Sequence, residues 1–331
     1  MRLLLFTLIG LCAGATSSWG ATMLPPGGTG VTKEVQAALE KVSPDQKYVQ
    51  IDDMLFLVEE MGEKGYVGDP WPGGVVYYWF HANVTTLNRD RWRAAANTWD
   101  LAASLTFIES DEDDSILIQS GTANNSSVGY NSSGGLMNIF NWDSHFIIVH
   151  EIGHALGFCH EHSRSDRDSF VSINWPYVQP DFDHNFDIEE SSANLGPYDF
   201  DSIMHYDACS FSTDCPAGAT CDCTNFTIIC LPGNEQWQDL MGQRDHLSQW
   251  DQWGMAAVYG ASCSGENFVR TGAAAPWSGS HSHPWPSISV ALSSVCPGAV
   301  LLLFQGTFPE SPLTINQEVN LVYHDGLVVI E

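Results

Sequence analysis

The run "HEIGHALGFCHEH", beginning at His150, gathers four of the chain's 12 histidines into thirteen residues. On a helix, His150 and His154 stand four apart and project from one face, about a turn from each other. Gly157 lets the chain leave the helix sharply and brings His160 to the same point in space. Three imidazoles meeting there make a zinc site with one position left for water. Glu151, beside the first ligand, is placed to take a proton from water activated at such a site. A lone histidine on an amphipathic helix would be an ordinary satisfied residue. Here H-E-x-x-H-x-x-G-x-x-H fixes five residue types together, a match that chance supplies in roughly one chain in ten thousand.

The flanking sequence reads as the elements that hold these residues. "DSHFIIVHEIGHALGF" starts at a capping Asp143 or Ser144 and runs helically to Gly157. "LNRDRWRAAANTWDLAA" carries Leu87, Trp92, Ala95, Ala96 and Trp99 at helical spacing, which predicts a second amphipathic helix. "WPGGVVYYWF" is a tight turn followed by a β-branched and aromatic strand. "SLTFIES" and "SILIQSG" read as strands joined by a solvated hairpin tip, "DEDD", with a calcium site as the lesser alternative. "GLMNIF", just before the histidine helix, is a candidate cleft edge to which an extended polypeptide could add as a strand. A strand paired on both sides is the other reading, and periodicity does not separate the two. Strands first and helices afterwards predict an α+β domain.

Beyond the ligand spacing, residues from about 71 to 260 resemble the astacin family of metzincin zinc metalloendopeptidases. "WPGGVVYYW" is similar to the start of the family's mature domain, and "HEIGHALGFCHEHSRSDRDSFVSINW" to its long signature. "YDFDSIMHYDACSFS" contains a Met-turn, and "LSQWDQWGMAAVYG" resembles the closing helix. The resemblance implies a metzincin domain with a twisted, mostly antiparallel N-terminal sheet, a zinc-binding helix and a cleft between two subdomains. It implies one Zn2+ held by His150, His154 and His160, with Glu151 as general base and acid. Met204 would form the apolar floor beneath the metal, and Tyr206 would leave the zinc to stabilise the oxyanion. Glu161 would receive the buried N-terminus of the matured enzyme, with a solvated carboxylate as the plainer reading. Protein or peptide substrates and an activating protease follow from the same resemblance. So does a pro-segment whose aspartate blocks the zinc. "QIDDMLF" offers Asp53, with Asp52 where the family has glycine; "YVGD" offers Asp69, but lies hard against "WPGG". Asp53 is the preferred candidate.

Composition bounds what else the chain does. Twelve Lys+Arg against 40 Asp+Glu give a formal net charge of -28, which repels phosphate backbones and argues against nucleic-acid binding. Residues 1–20 read as a secretory signal peptide, and no segment is long enough for a membrane span. Secretion is also the context for the sequons at Asn83, Asn124, Asn125, Asn131 and Asn225. Eight cysteines remain after Cys12, none of them upstream of Cys159, so the family's usual pair of bridges cannot form. The crowded Cys209, Cys215, Cys221, Cys223 and Cys230 read as a disulfide-stapled loop, in preference to a second metal site at Cys221-x-Cys223.

The division expected is signal peptide 1–20, pro-segment 21–69, protease 70–260, linker 261–284 and a C-terminal piece 285–331. In the pro-segment, "VTKEVQAALEKV" predicts a short helix and "YVQIDDMLFLVEEM" either a helix or an extended segment. His281 and His283 in the linker read as solvated. The last piece resembles the opening coils of a right-handed parallel β-helix, with "PGAVLLLFQGTFPE" and "LTINQEVNLVYHDG" as successive coil strands. Glycan binding, targeting or plain packing against the protease are open to it. The expected function is a secreted, zymogen-derived zinc endopeptidase. The rival is a non-catalytic secreted protein acting through the C-terminal β region; a protease-like protein without turnover would lack Glu151 or a ligand, and all are present.

Overall fold

After Trp71, buried Val76, Tyr78 and Phe80 alternate with more exposed neighbours, the period-two signature of a strand with one face on a core. In the computed structural model this strand lies inside a seven-stranded sheet. The structure describes residues 21–23, 47–57, 69–189, 192–216, 221–262, 266–275, 277, 279, 284–295, 299–310, 312–317, 319–324 and 326–331. The expected signal peptide, the helix "VTKEVQAALEKV", Cys263, Cys296, His281 and His283 lie outside them.

The chain opens with β1 (Ala21–Met23), β2 (Tyr48–Ile51) and β3 (Met54–Leu57). Then come β4 (Val75–Phe80), helix α1 (Thr86–Asp100), β5 (Thr106–Glu109) and β6 (Ile116–Ser120). Strands β7 (Asn125–Ser127) and β8 (Gly135–Ile139) lead into helix α2 (His145–Ala155). The large sheet has the order β2-β3-β7-β8-β6-β4-β5.

Two expectations are corrected here. The sheet is mostly parallel rather than mostly antiparallel: β4 pairs in parallel with β5 and with β6, and β6 pairs in parallel with β8. The β4–α1–β5 crossover accounts for the first of these, since a helix returns the chain to the starting end. Nor is "DEDD" a hairpin tip. β5 ends level with Tyr78, where Glu109 is its partner, and β6 begins level with the same residue, where Ile116 is. The acidic loop therefore carries the chain from one side of β4 to the other without reversing it. The antiparallel pairs of this sheet are β7 with β8 and β2 with β3.

β8 is paired on both sides, by β6 and by β7, so "GLMNIF" is an interior strand. The strand beyond it is β7, and along β7 lies β3, in parallel register through Met54–Ser126 and Leu55–Ser127. Of "YVQIDDMLFLVEEM", the described residues 48–57 form two strands rather than a helix.

Helices α1 and α2 cover one face of this sheet around Trp92, Trp99, Ile118, Met137, Ile139, Ile148 and Ile152, all buried. Thr85 caps α1 by accepting from the Asn88 amide. Leu87, expected on the apolar face, is instead exposed in the first turn. Trp99 ties α1 to α2 through its indole N–H, which donates to the Val149 carbonyl at 2.8 Å.

The remaining half contains β9 (Val171–Ile173), β10 (Ala193–Leu195), β11 (Ile228–Cys230) and α3 (Gln249–Tyr259). β9 pairs with β11, and β10 receives β1. Two disulfides, Cys209–Cys223 and Cys215–Cys221, staple the loop after the Met-turn, as its cysteine density suggests. A capping box between Ser248 and Asp251 starts α3.

Past Gly260 the expected linker carries a strand, β12 (Glu266–Val269). Helix α4 (Ile288–Ser294) follows, then β13 (Val300–Leu303), β14 (Gly306–Phe308), β15 (Asn320–Tyr323) and β16 (Val328–Ile330). β12, β13 and β15 pair in parallel, as do β14 and β16, around buried Ile288, Leu301, Leu303 and Phe308. No helix among the described residues is long and apolar enough to cross a membrane.

Candidate metal centre and cleft

Helix α2 holds His150 and His154 one turn apart, and Gly157 at φ 105° turns the chain away beyond it. His160 then comes back to the same point, held by the bond from the Glu161 amide to the Met204 carbonyl at 3.0 Å. The ring centroids lie 4.7 Å apart for His150–His154 and His154–His160, and 5.5 Å for His150–His160. All three rings are buried.

Their outer nitrogens fix the tautomers. His150 Nδ1 is 2.8 Å from the Ile203 carbonyl, and His154 Nδ1 is 2.7 Å from that of Phe158. A carbonyl can only accept, so each Nδ1 carries a hydrogen and each Nε2 is the nitrogen turned to the centre. The outer nitrogen of His160 has no such carbonyl: its Nδ1 lies 3.4 Å from Asp52 Oδ2, which is buried without a hydrogen-bond partner.

Into the centre of the triangle reaches Asp53. Its Oδ2 is 3.2 Å from His150 Nε2, and its Oδ1 is 3.2 Å from both His154 Nε2 and His160 Nε2. One ligand atom from each of Asp53, His150, His154 and His160 lies within 4.8 Å of the other three. Burial pushes His150 down to about 3 and also lowers His160, so these rings are neutral, the form that binds metal. His160 Nε2 and Asp53 Oδ1 are buried without a hydrogen-bond partner. Imidazole nitrogens and a carboxylate converging at this spacing fit a divalent cation, and three imidazoles with a carboxylate fit zinc. Asp69 is elsewhere: it is exposed and pairs through its backbone with Tyr130.

The other expected residues surround this centre. Glu151 is buried, with Oε2 lacking a hydrogen-bond partner. Burial, with Asp53 and Asp52 nearby, holds its carboxyl well above the ordinary range. Tyr206 has a buried, unpartnered Oη, and its ring lies 4.6 Å from that of His160 and stacks on His162 at 3.9 Å. Met204 packs under α2 because position 153 is glycine: a Cβ there would meet its Sδ at 2.8 Å. A cleft of about 920 Å³ opens over the histidines, lined by Phe140, Phe182, Phe211, Tyr206 and Arg244.

Residues 64–260 match the peptidase family model described as Astacin. The chain belongs to the astacin family. Relatives include human Tolloid-like protein 2, 35% identical over 247 residues that cover 70% of this chain and 23% of that protein. Low choriolytic enzyme of Oryzias latipes is 56% identical over 71 residues, covering 21% of this chain and 26% of the enzyme. Among solved structures, High choriolytic enzyme 1, a hatching enzyme zinc-protease from the same fish, aligns with a TM-score of 0.51 and 29% identity. That alignment covers 58% of this chain and 93% of that one. The chain thus spans 23% of the length of the tolloid-like relative. The family is one of peptidases, and the three-histidine centre with Asp53 suits one zinc ion.

In this astacin-family enzyme Glu161 is not a solvated carboxylate. It is buried, accepts from the Asp199 amide at 2.8 Å and from Arg164 Nη1 at 3.1 Å. Burial pushes it up to about 8, with Arg164 opposing and Asp199 reinforcing the shift.

Three further residues escape a reading of the sequence. Arg244 lines the cleft while donating to the His205 carbonyl at 3.1 Å; its only sequence signal is rarity, one of 12 basic residues. Asp251 accepts from Ser202 Oγ at 2.6 Å and from the Ile203 amide at 2.8 Å, so it braces the turn whose carbonyl orients His150. The capping pattern at Ser248 was the available clue. The third is Asp52, which appears in the sequence only as a departure from glycine.

Proposed function

We propose that the chain is made as a secreted zymogen, and that its active form cleaves peptide bonds in proteins with Glu151 as general base and acid. Asp53 carries this reading: a carboxylate from the segment ahead of the protease fills the place among three imidazoles that catalysis requires for water. The placement of β3 along β7 supports it too, since an extended substrate would use that same edge. Secretion rests on the signal-like residues 1–20 and on the likeness to a hatching enzyme. An activating protease that cuts ahead of Trp71 would free both the edge and the centre.

His150, His154 and His160 would hold the zinc ion, which when bound would supply Lewis acidity toward the scissile carbonyl and ease the deprotonation of water near neutral pH. Glu151 takes that proton and later gives it to the leaving amine. Tyr206, whose hydroxyl is otherwise unpartnered, donates a hydrogen bond to the oxygen that becomes negative in the transition state. Ile203 and Phe158 keep their imidazoles in one tautomer throughout.

The test is to express the full chain, treat it with trypsin, and assay casein cleavage with and without a zinc chelator. Glu151→Gln should lower kcat by about 10²–10⁴ while zinc content and fold are kept. Activity that persists in the variant or under the chelator defeats the reading.

A further inference from the structure

Backbone strain persists only where surrounding contacts enforce it, and it gathers at functional sites. Three described residues other than glycine have positive φ: Asp52 at 57°, Asp181 at 72° and Phe211 at 54°. All three border the metal cleft. Asp52 and Phe211 line it, and Asp181 immediately precedes Phe182, which lines it too. Aspartate tolerates this region better than most residues, whereas a bulky aromatic side chain does not. Phe211 is therefore the residue whose position most needs a reason.

The ties of its loop impose the strain. Phe211 follows Cys209 by two residues, in the stretch stapled by Cys209–Cys223 and Cys215–Cys221. Its carbonyl accepts from the Gln179 amide at 2.8 Å, and the next amide, of Ser212, donates to the Cys209 carbonyl at 3.0 Å. Gln179 also holds the facing segment, since its carbonyl accepts from the Phe182 amide at 3.1 Å. Its side-chain amide donates to the carbonyls of Ser212 at 2.8 Å and Cys215 at 3.1 Å. One residue thus joins the two phenylalanines, whose rings stack at 4.9 Å with planes 22° apart. Both are half-buried and line the cleft. The Phe211 ring lies 5.7 Å from that of Tyr206, which in turn lies 4.6 Å from that of His160. The wall therefore begins one ring away from the metal centre.

We infer that Phe211, paired with Phe182, is a specificity-determining residue: the two rings form an aromatic wall that takes a large apolar side chain of the substrate beside the scissile bond. This rests on the endopeptidase reading above and names a substrate class for it, polypeptide with a phenylalanine, leucine or similar residue next to the cut. Such a side chain, laid against two ring faces, removes apolar surface of both partners from water. A glycine at position 211 would relieve the backbone but leave the wall with a single ring. The phenylalanine is kept in a conformation unfavourable to it, and the cleft is where its ring has a use.

The test treats the full chain with trypsin, inhibits the trypsin, adds casein and maps the cuts by mass spectrometry. Values of kcat/KM are then measured for peptides carrying Phe, Ala or Asp on either side of a mapped cut. Wild type, Phe211→Gly, Phe211→Tyr and Phe182→Ala are compared. Wild type should favour Phe over Ala at one of these positions by about 10–200-fold. Phe211→Gly should lower that ratio about tenfold or more. Its melting temperature should stay within about 5 °C of wild type, because relief of the backbone offsets loss of the ring. Phe211→Tyr, which keeps the ring, should keep the ratio. Equal cleavage of the Phe and Ala peptides by wild type, a preference for Asp alone, or an unchanged ratio in Phe211→Gly overturns the inference. Should Phe211→Gly fail to fold, Phe182→Ala decides in its place, with the same loss of ratio expected. No cleavage of casein by wild type defeats the endopeptidase reading itself.

Discussion

Asp251 is expected to be a keystone of the metal centre although it never approaches the metal. It is fully buried and takes three donors: Ser202 Oγ at 2.6 Å, the Ile203 amide at 2.8 Å and the Ser248 amide at 2.9 Å. Asp251→Ala leaves two backbone N–H groups buried without acceptors, at about 1–3 kcal/mol each. Ser202 Oγ can rotate, and Asp199 is relieved of a like-charged neighbour, which recovers part of the loss. The net expectation is a loss of about 3 kcal/mol, measured by urea unfolding followed through tryptophan fluorescence, with the m-value unchanged. Because the Ile203 carbonyl orients His150, zinc affinity should also fall by about ten- to a hundredfold. A stability change below about 1 kcal/mol with unaltered zinc binding would refute this chain of contacts.

Other perturbations follow from the same network. Asp199 is pushed up to about 7, first by burial and then by Asp251, so the folded state keeps a proton that the unfolded chain loses at lower pH. Its contribution to stability is therefore complete below about pH 4 and declines as pH rises to about 7; thermal melting across that window should show the slope, and Asp251→Ala should flatten it. Arg164→Met removes the donor to Glu161 and to the Gly196 and Pro197 carbonyls; a loss of about 3–5 kcal/mol in urea titration is expected. Gly153→Ala gains about 1 kcal/mol of helix propensity but drives a methyl to 2.8 Å from Met204 Sδ. The crowding costs about 1–3 kcal/mol, so melting should fall modestly while kcat drops more, through the displaced floor of the site.

The metal centre was legible because its geometry is local. A helix of fixed pitch places His150 and His154, and a glycine turn of three residues delivers His160. The burial of Trp92, Ala95, Ala96 and Trp99 was readable for the same reason, whereas Leu87 lies in the first turn, beyond the reach of the sheet. Strand direction was not legible. Alternation says that a segment is extended, not which way its neighbour runs, and the shared partner Tyr78 decides how β5 and β6 flank β4. Nor could periodicity reveal that β8 is interior, since that depends on β7 and β6 pairing with it from distant positions. Asp251 and Arg244 are brought to the centre by contacts dozens of residues apart, which leave no spacing to read.

Two of the seven strands in the large sheet, β2 and β3, belong to the stretch that the proposed maturation discards. Ripening is then a subtraction: the finished enzyme is left with a bare margin, its backbone donors and acceptors wetted but unclaimed. Any stretched-out chain, including another copy of the enzyme, can settle there. Removal of that hairpin, as proposed, would open the β7 edge to any extended chain.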